Sequence, residues 1–373
     1  MNELPKFRST QEARDREFYK TLKRRVDAHF EAQHKSSHGD LRMAFKALFW
    51  IGNSLAAWVT LLGSGVHGPL LFVVWAWLGF SLACVGFNVG HDAIHGAMSA
   101  DQRINRLFSW SYELIGANVR NWFIAHNVLH HTWTNVPGID QDIEPGAKLR
   151  FHMYAPYKPY HRWQHLFAWP LYGFLTLNWV TVYDFQLMFW KDPKTGRGPT
   201  ALDSAKLLFG KVCHFGALLA APLLVLDVPW WQTVLGFVLM HAVGGFTLAT
   251  TFQLAHVIEG PEFLPPDANG DLTSSWAVHQ LRTTANFQPG NRLMTFIVGG
   301  LNHQVEHHLF PRICHVHYPD IAPIVEATAK EFGLPYHCWP TMPAAIAAHY
   351  RHMRMLADPA SVLTAPVAVP VPA

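Results

Sequence analysis

The chain has 373 residues, half of them hydrophobic and only 15% charged, and a formal net charge of +3. Such a composition is typical of a membrane protein, and the small net charge gives no reason to expect a nucleic-acid partner. The cysteines (Cys84, Cys213, Cys314 and Cys338) have no CxxC spacing, which argues against both a disulfide framework and a thiolate metal site.

The N-terminal arm, residues 1–46, is basic and carries 11 of the 29 Lys and Arg residues. Because Lys and Arg accumulate on the cytoplasmic side of membrane proteins, we expect this arm in the cytoplasm. The apolar stretch that follows begins too late and is too long for a cleaved signal peptide, so no secretion is implied.

The first apolar stretch, residues 47–100, predicts two membrane-spanning helices. It contains no Lys, Arg or Glu, and Asp92 is its one acid. Since a span needs about 20 apolar residues, helices over 47–63 and 69–89 would form a hairpin that covers 47–89.

A second stretch, residues 212–258, repeats the pattern with Asp227 as its one charged residue. We expect helices over 206–226 and 230–256, forming a hairpin that covers 206–256. Both hairpin turns lack Lys and Arg, whereas the N-terminal arm and the connector between the hairpins carry many. The positive-inside rule therefore places every histidine cluster on the cytoplasmic face.

The remaining segments complete an all-α prediction. Residues 103–120 and 163–190 mix apolar, aromatic and polar positions, which indicates helices lying in the membrane interface. The predicted fold is a polytopic all-α membrane protein with four transmembrane helices in two hairpins, interfacial helices and a cytoplasmic helical cap that carries the metal site. Residues 1–358 form one domain, and the Ala-, Val- and Pro-rich tail 359–373 is expected to be disordered.

Nine histidines stand in three clusters and one outlier, close to the ends of the apolar stretches. Neutral imidazole is a strong ligand for iron, zinc and copper, and this many ligands exceed what one ion can use. Two metal ions beside a membrane are therefore the natural interpretation. The histidines are His91 and His95, then His126, His130 and His131, then His303, His307 and His308, with His256 as the outlier.

The spacing within the clusters favours shared metal sites. His91 and His95 are i, i+4 neighbours, as are His126 and His130, and such pairs lie on one helix face. His131 points roughly 100° away from its neighbour, so the adjacent pair can serve two ions. Alone, an HxxxH pair also suits polar residues that cap a membrane helix. The clusters taken together make chance a poor explanation.

The three clusters resemble the histidine boxes of the membrane fatty acid desaturases. HDAIH, HNVLHH and QVEHHLFP stand in the right order with the right helix pairs between them, and the resemblance covers roughly residues 45–335. Gln304 in the third box, together with FQLAHV and WAVHQLRTTANF, is similar to the front-end, acyl-lipid-like class. The chain lacks the HPGG haem motif of a fused cytochrome b5 domain, so a separate electron donor is expected.

The resemblance implies a non-haem di-iron centre that uses O2 to introduce a cis double bond into a long fatty acyl chain. Because an amide oxygen is a weak neutral ligand, His303 is the alternative to Gln304 at one position. Carried over by position, the metal ligands would be His91, His95, His126, His130, His131, His256, Gln304, His307 and His308.

Five polar residues near the boxes are expected to orient the imidazoles through hydrogen bonds. A solvated loop would explain the two acids that follow the second box equally well. These residues are Asp92, Asn127, Asp140, Asp142 and Glu306. The helices must also enclose an apolar tunnel for the acyl chain, although Gly244 and Gly245 are better explained by helix packing.

Two other functions stay open on sequence alone. A histidine-box hydroxylase or ketolase acting on a lipid would use the same iron chemistry but return oxygen to the substrate. A metal-binding membrane transporter would need histidines through the bilayer, whereas these lie at helix ends. Through the resemblance, Gln304 favours a Δ5/Δ6-like front-end position of the double bond, and a Δ9-type or other acyl-lipid member stays open. The acyl carrier (CoA, phospholipid or carrier protein) and the electron donor, such as ferredoxin or cytochrome b5, are not determined.

Overall fold

The computed structural model describes residues 4–63, 65–193 and 195–363, and these residues are mostly helical. The described part of the chain contains four helical segments long and apolar enough to cross a membrane, as the two uncharged stretches predict. In chain order the helices of the first half are α1 (Glu12–Ala32), α2 (Leu41–Gly63), α3 (Pro69–Val85), α4 (His91–His95), α5 (Gln102–Ile115), α6 (Val119–Trp122), α7 (Gln164–Tyr172), α8 (Leu175–Asn178) and α9 (Asp184–Leu187).

The second half contains the other two spans and most of the cap. Its helices are α10 (Ala201–Phe215), α11 (Ala221–Val225), α12 (Trp230–His256), α13 (Trp276–Thr283), α14 (Arg292–Ile297), α15 (Gln304–Leu309), α16 (Tyr318–Glu331) and α17 (Met342–Met355). Wider π-helical turns at Gly86–Gly90, Phe123–His130, Trp179–Tyr183 and Gly216–Ala220 connect or extend several of the helices, and short 3₁₀ helices lie at Gln141–Ile143, Gly146–Lys148, Pro159–Trp163, His315–His317 and Pro359–Ser361.

The four predicted spans are found, with earlier starts for the first and the third and with the end of the second at His95 instead of residue 89. The spans are Leu41–Gly63, Pro69–His95, Ala201–Val225 and Trp230–His256. The first begins six residues before the predicted position because its Lys46 is buried against His315 instead of marking the helix end. The third begins at Ala201 because Thr200 and Asp203 form a capping box there.

Small residues bring the second and fourth spans, α3 and α12, close together. A Cβ on Gly79 would overlap the carbonyl oxygen of Met240, and a Cβ on Gly236 would overlap the ring of Trp75. One on Gly244 would lie 3.1 Å from the Gly79 oxygen. Close backbone approach through small residues is a common way for helices to associate in lipid. The packing role expected for Gly244 is therefore what the structure shows.

A helical cap covers one end of the bundle. Phe18, Leu22 and Val26 of α1 are buried against Ile321 and Val325 of α16. The same apolar cluster includes residues of α13 and α15, so the cap is packed directly on the third histidine cluster. Burial of this many apolar side chains fixes α15 relative to the N-terminal helix.

The interfacial segments are helical, and α5 has its polar side turned inward. Asn105, Ser109 and Glu113 are buried, whereas Leu107 and Leu114 are 67% and 57% exposed. A helix with an outward apolar face suits the membrane interface, because lipid can cover that face. The segment 163–190 is divided into α7, α8 and α9, and it does not form a fifth span.

Two short parallel strand pairs connect the cap to distant segments. Strand β1 (Lys6–Phe7) pairs with β2 (Asp271–Leu272), and β3 (Ala285–Phe287) pairs with β4 (His337–Trp339). The tail predicted to be disordered begins with the 3₁₀ helix at Pro359, where Ser361 accepts a hydrogen bond from buried Arg150. Residues 364–373 of that tail lie outside the described residues.

Candidate metal centre

Eight of the predicted ligands meet in one buried group where four segments converge. Each of these eight residues is at most 8% exposed. The group therefore consists of imidazoles brought together in the interior from distant parts of the sequence. α4 supplies His91 and His95, the π-helical segment after α6 and its C-cap supply His126, His130 and His131, the end of α12 supplies His256, and α15 supplies His307 and His308.

The imidazoles form two sets, each compact enough for one metal ion. The nitrogen atoms of His91, His95, His126 and His307 lie within 4.8 Å of one another, as do those of His130, His256 and His308. The His131 ring lies between the sets, with its centroid 4.5 Å from that of His307 and 4.4 Å from that of His308. Two neighbouring groups of neutral nitrogen donors fit a two-metal centre.

The second box is wound as a π-helix, which the spacing argument did not anticipate. The N–H of His131 donates to the carbonyl oxygen of His126, five residues earlier, at 3.0 Å. In this wider turn residues i and i+5 become neighbours, and the Nε2 atoms of His126 and His131 are 3.2 Å apart. The π-helix thus directs three imidazoles of one short segment into the two sets.

Hydrogen bonds from outside the group hold the Nδ1 atoms. Nδ1 of His130 lies 3.0 Å from both carboxylate oxygens of Asp140. Nδ1 of His308 lies 2.9 Å from Oε1 of Gln280, and Nδ1 of His307 lies 3.1 Å from the Tyr318 hydroxyl. An acceptor at Nδ1 fixes the tautomer in which Nε2 carries a lone pair. The Nε2 atom of each of these rings therefore directs a lone pair that can bind metal into the interior of the group.

Three Nε2 atoms that point into the group have no hydrogen-bond partner in the described part of the chain but are suited to bind metal ions. Nε2 of His95, His307 and His308 is buried and has no hydrogen-bond partner among the described residues. A buried polar atom without a partner costs about 1–3 kcal/mol, so three such atoms aimed into one region point to a bound group. Histidine nitrogen in this number is a donor set for iron, zinc or copper.

The electrostatics favour the metal-binding form of most of the rings. Burial, together with the neighbouring imidazoles, lowers the pKa of His126, His131, His307 and His308 well below the ordinary value. Burial acts in the same direction on His130, but Asp140 and Asp142 outweigh it and raise the pKa of that ring to about 9. Neutral imidazole is the form that binds metal, so His130 must release a proton on doing so.

The ninth position is occupied by two candidates at the start of α15. Gln304 is buried and lies one helical turn before His308, on the same face. His303 is also buried, and its Nδ1 lies 3.8 Å from Oε2 of Glu306. His303 is not part of either compact set of nitrogens.

Four of the five polar residues expected to orient imidazoles divide into two groups. Asp140 does so for His130, and Asp142 lies 3.4 Å from Nδ1 of His126, so the acids of this loop face the centre. Asn127 instead donates to the carbonyl oxygen of Ile94, and Glu306 accepts from Asn286 and Tyr336. The hydrogen bonds of these two residues hold the backbone and α15 in place, and Oε2 of Glu306 lies 3.8 Å from Nδ1 of His303.

Asp92, the acid inside the first box, is engaged mainly by residues beyond the third. Its Oδ2 accepts from Nδ1 of His315 at 2.8 Å and from Sγ of Cys314 at 3.0 Å, whereas Nδ1 of His91 is 3.8 Å from its Oδ1. Nζ of Lys46 lies 2.7 Å from Nε2 of His315. This buried network connects the first span, the first box and the segment after the third box.

Several of these supporting residues were not identified from the sequence. Gln280 and Thr283 lie in WAVHQLRTTANF, a segment noted only for its family likeness, and that likeness was the available signal. The Thr283 carbonyl oxygen lies 3.3 Å from Nδ1 of His256. Tyr318 and Lys46 carried no comparable signal, because their contacts depend on how distant segments fold together.

An aromatic wall borders one side of the centre. The Trp122 ring is stacked on His126 with centroids 4.5 Å apart, and Trp179 is 5.0 Å from Trp122. Phe252 of α12 and Ile94 of α4 belong to the same apolar group. An apolar surface in contact with a metal-ligating set can seat a hydrocarbon chain and exclude water.

The comparisons with known proteins agree with the geometry. The model of the fatty acid desaturase family matches residues 67–340, a range that includes all three histidine clusters. The chain is similar to the sn-1 linoleoyl-lipid 6-desaturase of Arthrospira platensis, at 37% identity over 91% of this chain and 92% of the relative. The protein of the same description from Synechocystis sp. is 36% identical over 91% of this chain and 96% of the relative. The acyl-lipid (8-3)-desaturase of Physcomitrium patens is 35% identical over 92% of this chain and 72% of the relative.

Proposed function

The chain belongs to the fatty acid desaturase family and is an oxidoreductase of fatty acyl lipids, and we propose that it introduces a cis double bond with the help of two iron ions and O2. The observation that carries the proposal is the convergence of the inward nitrogens in two adjacent sets. One iron would be held by His91, His95, His126 and His307. The other would be held by His130, His256, His308 and Gln304. His131 lies between the two sets and is available to either ion.

The reaction explains why a metal centre lies beside an apolar wall. An iron pair supplies the oxidising power that no amino-acid side chain has for an unactivated methylene group. Overall, O2 accepts two electrons from the two broken C–H bonds and two from an external donor. With the two hydrogens from the chain and two protons from solvent, it leaves as two waters.

The protein residues position the chain and keep water away from it. Trp122 and Phe252 form an apolar surface against the first set of histidines. Asp140 and Gln280 hold two imidazoles of the second set through Nδ1, so these rings do not rotate when the substrate enters. The selectivity of the reaction then depends on which methylene pair this wall places against the centre.

The position of the new double bond is proposed to be on the carboxyl side of an existing one. The support is the Gln304-type third box and the likeness to relatives named 6-desaturase and (8-3)-desaturase. Electrons are proposed to come from a separate protein, either a ferredoxin or a cytochrome b5. Reconstitution of the purified enzyme with each donor in turn measures which one supports turnover.

We further propose that the metal centre faces the cytoplasm. The basic N-terminal arm and the uncharged hairpin turns support this orientation. With four spans, both termini would then be cytoplasmic. A fluorescent protein fused to the C-terminus should fluoresce in a bacterial inner membrane, because this reporter folds in the cytoplasm and fails to fold in the periplasm. A phosphatase that is active only in the periplasm, fused at the same position, should be inactive. A dark fluorescent fusion together with an active phosphatase fusion would contradict the orientation.

The function is tested in a host that makes no polyunsaturated fatty acids. Fed a linoleoyl substrate, cells that express the chain should form a product that lacks two hydrogens, with the new double bond located by mass spectrometry. A product that gains an oxygen atom would instead identify a hydroxylase. Metal accumulation without any lipid product would identify a transporter.

Ligand variants connect the product to the centre. His130→Ala and His307→Ala should abolish double-bond formation while the protein is still inserted in the membrane. His67→Ala, at an exposed position in the first hairpin turn, is the matched control and should retain wild-type activity. Full activity of either ligand variant would refute the assignment.

A further inference from the structure

A polar pocket lies beside the first histidine box, outside the metal centre. Its volume is about 330 Å³, and it is an open pocket lined by α5, the residues around α6 and the first turns of α10. Ala93 and Ile94, which stand between the ligands His91 and His95, line it. The pocket therefore lies directly next to the box and is not part of either histidine set.

Three cations surround this pocket. Arg106 of α5, Arg120 of α6 and Lys206 of α10 line it, against Asp203 and Glu113. Burial raises the pKa of Glu113 to about 7, although Val119 and Asn118 donate hydrogen bonds to it, so this carboxyl is only partly charged at neutral pH. The charge of the pocket is consequently positive, and it suits an anionic ligand.

Arg120 is held in place at the wall of this pocket by contacts of two of its nitrogens. Its Nη2 donates to the carbonyl oxygen of Trp190 at 2.8 Å, and its Nε lies 3.8 Å from Asp203. Its Nη1 is buried and has no hydrogen-bond partner among the described residues. The guanidinium is therefore a fixed positive charge at the wall of the pocket, which favours an anionic ligand.

The location matches that of a lipid headgroup. Lys206 lies in the first turns of the third span, and Leu107 and Leu114 on the outward face of α5 are exposed for contact with lipid. The pocket is thus at the depth of the membrane interface. On its inner side, Ile94 belongs to the apolar group that continues through Trp122 to the metal centre.

We propose that this pocket binds the phosphate-bearing head of the acyl substrate while the hydrocarbon chain runs past Ile94 to the aromatic wall. The inference rests on the proposed function and specifies its substrate: an acyl chain attached to a phosphate-containing carrier. A head fixed beside the first box keeps the carboxyl end of the chain close to the histidines. The distance from the head then determines which methylene pair reacts.

Equilibrium binding to the purified, metal-loaded protein tests the inference without turnover. Three linoleoyl probes are compared: a phosphatidic acid, an acyl-CoA and the neutral diacylglycerol. The double variant Arg106→Gln, Lys206→Gln should weaken binding of a phosphate-headed probe about tenfold, because two charge-assisted contacts are lost. Its affinity for the diacylglycerol should be unchanged.

Arg103→Gln is the matched control. Arg103 lies on the same helix as Arg106 and is equally an exposed cation, but it does not line the pocket. It should bind all three probes as the wild type does. Tighter binding of phosphatidic acid identifies a phospholipid as the source of the phosphate, and tighter binding of acyl-CoA identifies CoA.

Three results would overturn the inference: equal wild-type affinity for neutral and phosphate-headed probes, wild-type binding by the double variant, or an equal loss in Arg103→Gln. These results are independent of the proposed function. Selective binding of phosphate-headed probes without any desaturated product would contradict the proposed function but support the binding role of the pocket. If the double variant desaturates the substrate with the KM of the wild type, the proposed function is supported and the role of the pocket in substrate binding is contradicted.

Discussion

Nδ1 of His130 lies 3.0 Å from each of the two carboxylate oxygens of Asp140, which is fully buried. The same carboxylate accepts hydrogen bonds from the backbone N–H groups of Asn135 and Asp142. Asp140 therefore links the second histidine box to the loop that follows it. It also keeps a negative charge next to the one imidazole of the centre whose pKa is raised.

Asp140→Asn is expected to lower iron content and turnover about 10- to 100-fold, the range typical of residues that orient metal ligands. An amide keeps one acceptor oxygen but loses the charge, and its NH2 group competes with the imidazole as a donor. Iron per protein by mass spectrometry and initial rates measure the effect. Asp142→Asn is the comparison, and its smaller effect should reflect a longer 3.4 Å contact and a partly exposed side chain. Equal losses in the two variants would contradict a special role for Asp140.

Lys46→Met should destabilise the protein by about 1–3 kcal/mol, because Nε2 of buried His315 loses its partner. The loss of this contact also loosens the hold of His315 on Asp92 behind the first box, so the first box should bind metal less firmly. The readout is the melting temperature in detergent together with iron content. Lys20→Met, at an exposed position of α1, provides the control. A variant as stable as this control would show that the buried lysine is dispensable.

Alanine substitutions at positions 303 and 304 separate the two candidates for the ninth ligand. We expect Gln304→Ala to lose part of the bound iron and most of the activity, since Gln304 shares a helix face with His308, whose set has only three histidines. His303→Ala should keep both irons. Gln304→His should retain iron with an altered rate. The reverse pattern for the two alanine variants would assign the ligand to His303.

Glu113 should make stability depend on pH. Its pKa rises from the ordinary 4.5 to about 7 in the folded protein, mainly through burial. The unfolded chain therefore releases this proton first, so stability falls as pH rises from about 4.5 through 7, by about 3 kcal/mol at most. Glu113→Gln should remove this loss, so its melting temperature relative to wild type should increase between pH 5 and pH 8. The exposed Glu17→Gln serves as control, and a pH-independent difference for Glu113→Gln would contradict the assignment.

The four spans and the histidine boxes were predictable because their signals are local. An apolar stretch of sufficient length predicts a span whatever the rest of the chain does. Spans were predicted over 47–63 and 230–256, and the structure has them over 41–63 and 230–256. The π-helix at Phe123–His130 was not predictable, because a spacing of four suits an α-helix equally well. Gln280 and Tyr318 were missed for another reason: a hydrogen bond to a ligand ring depends on the tertiary contact of segments that are far apart in sequence.

Gly79→Ala should separate the second and fourth spans and disable the centre that lies at their ends. A Cβ at position 79 would overlap the backbone carbonyl of Met240, and backbone atoms, unlike a flexible side chain, cannot move aside without shifting the helix. His91, His95 and His256 lie at the ends of these two spans, so a shift would disturb both histidine sets. We expect a lower melting temperature, less bound iron and little activity. Gly52→Ala is the control, since a Cβ there meets nothing within 4 Å and alanine favours the helix. If both variants melt alike, the close approach of these spans is not what holds the two sets together.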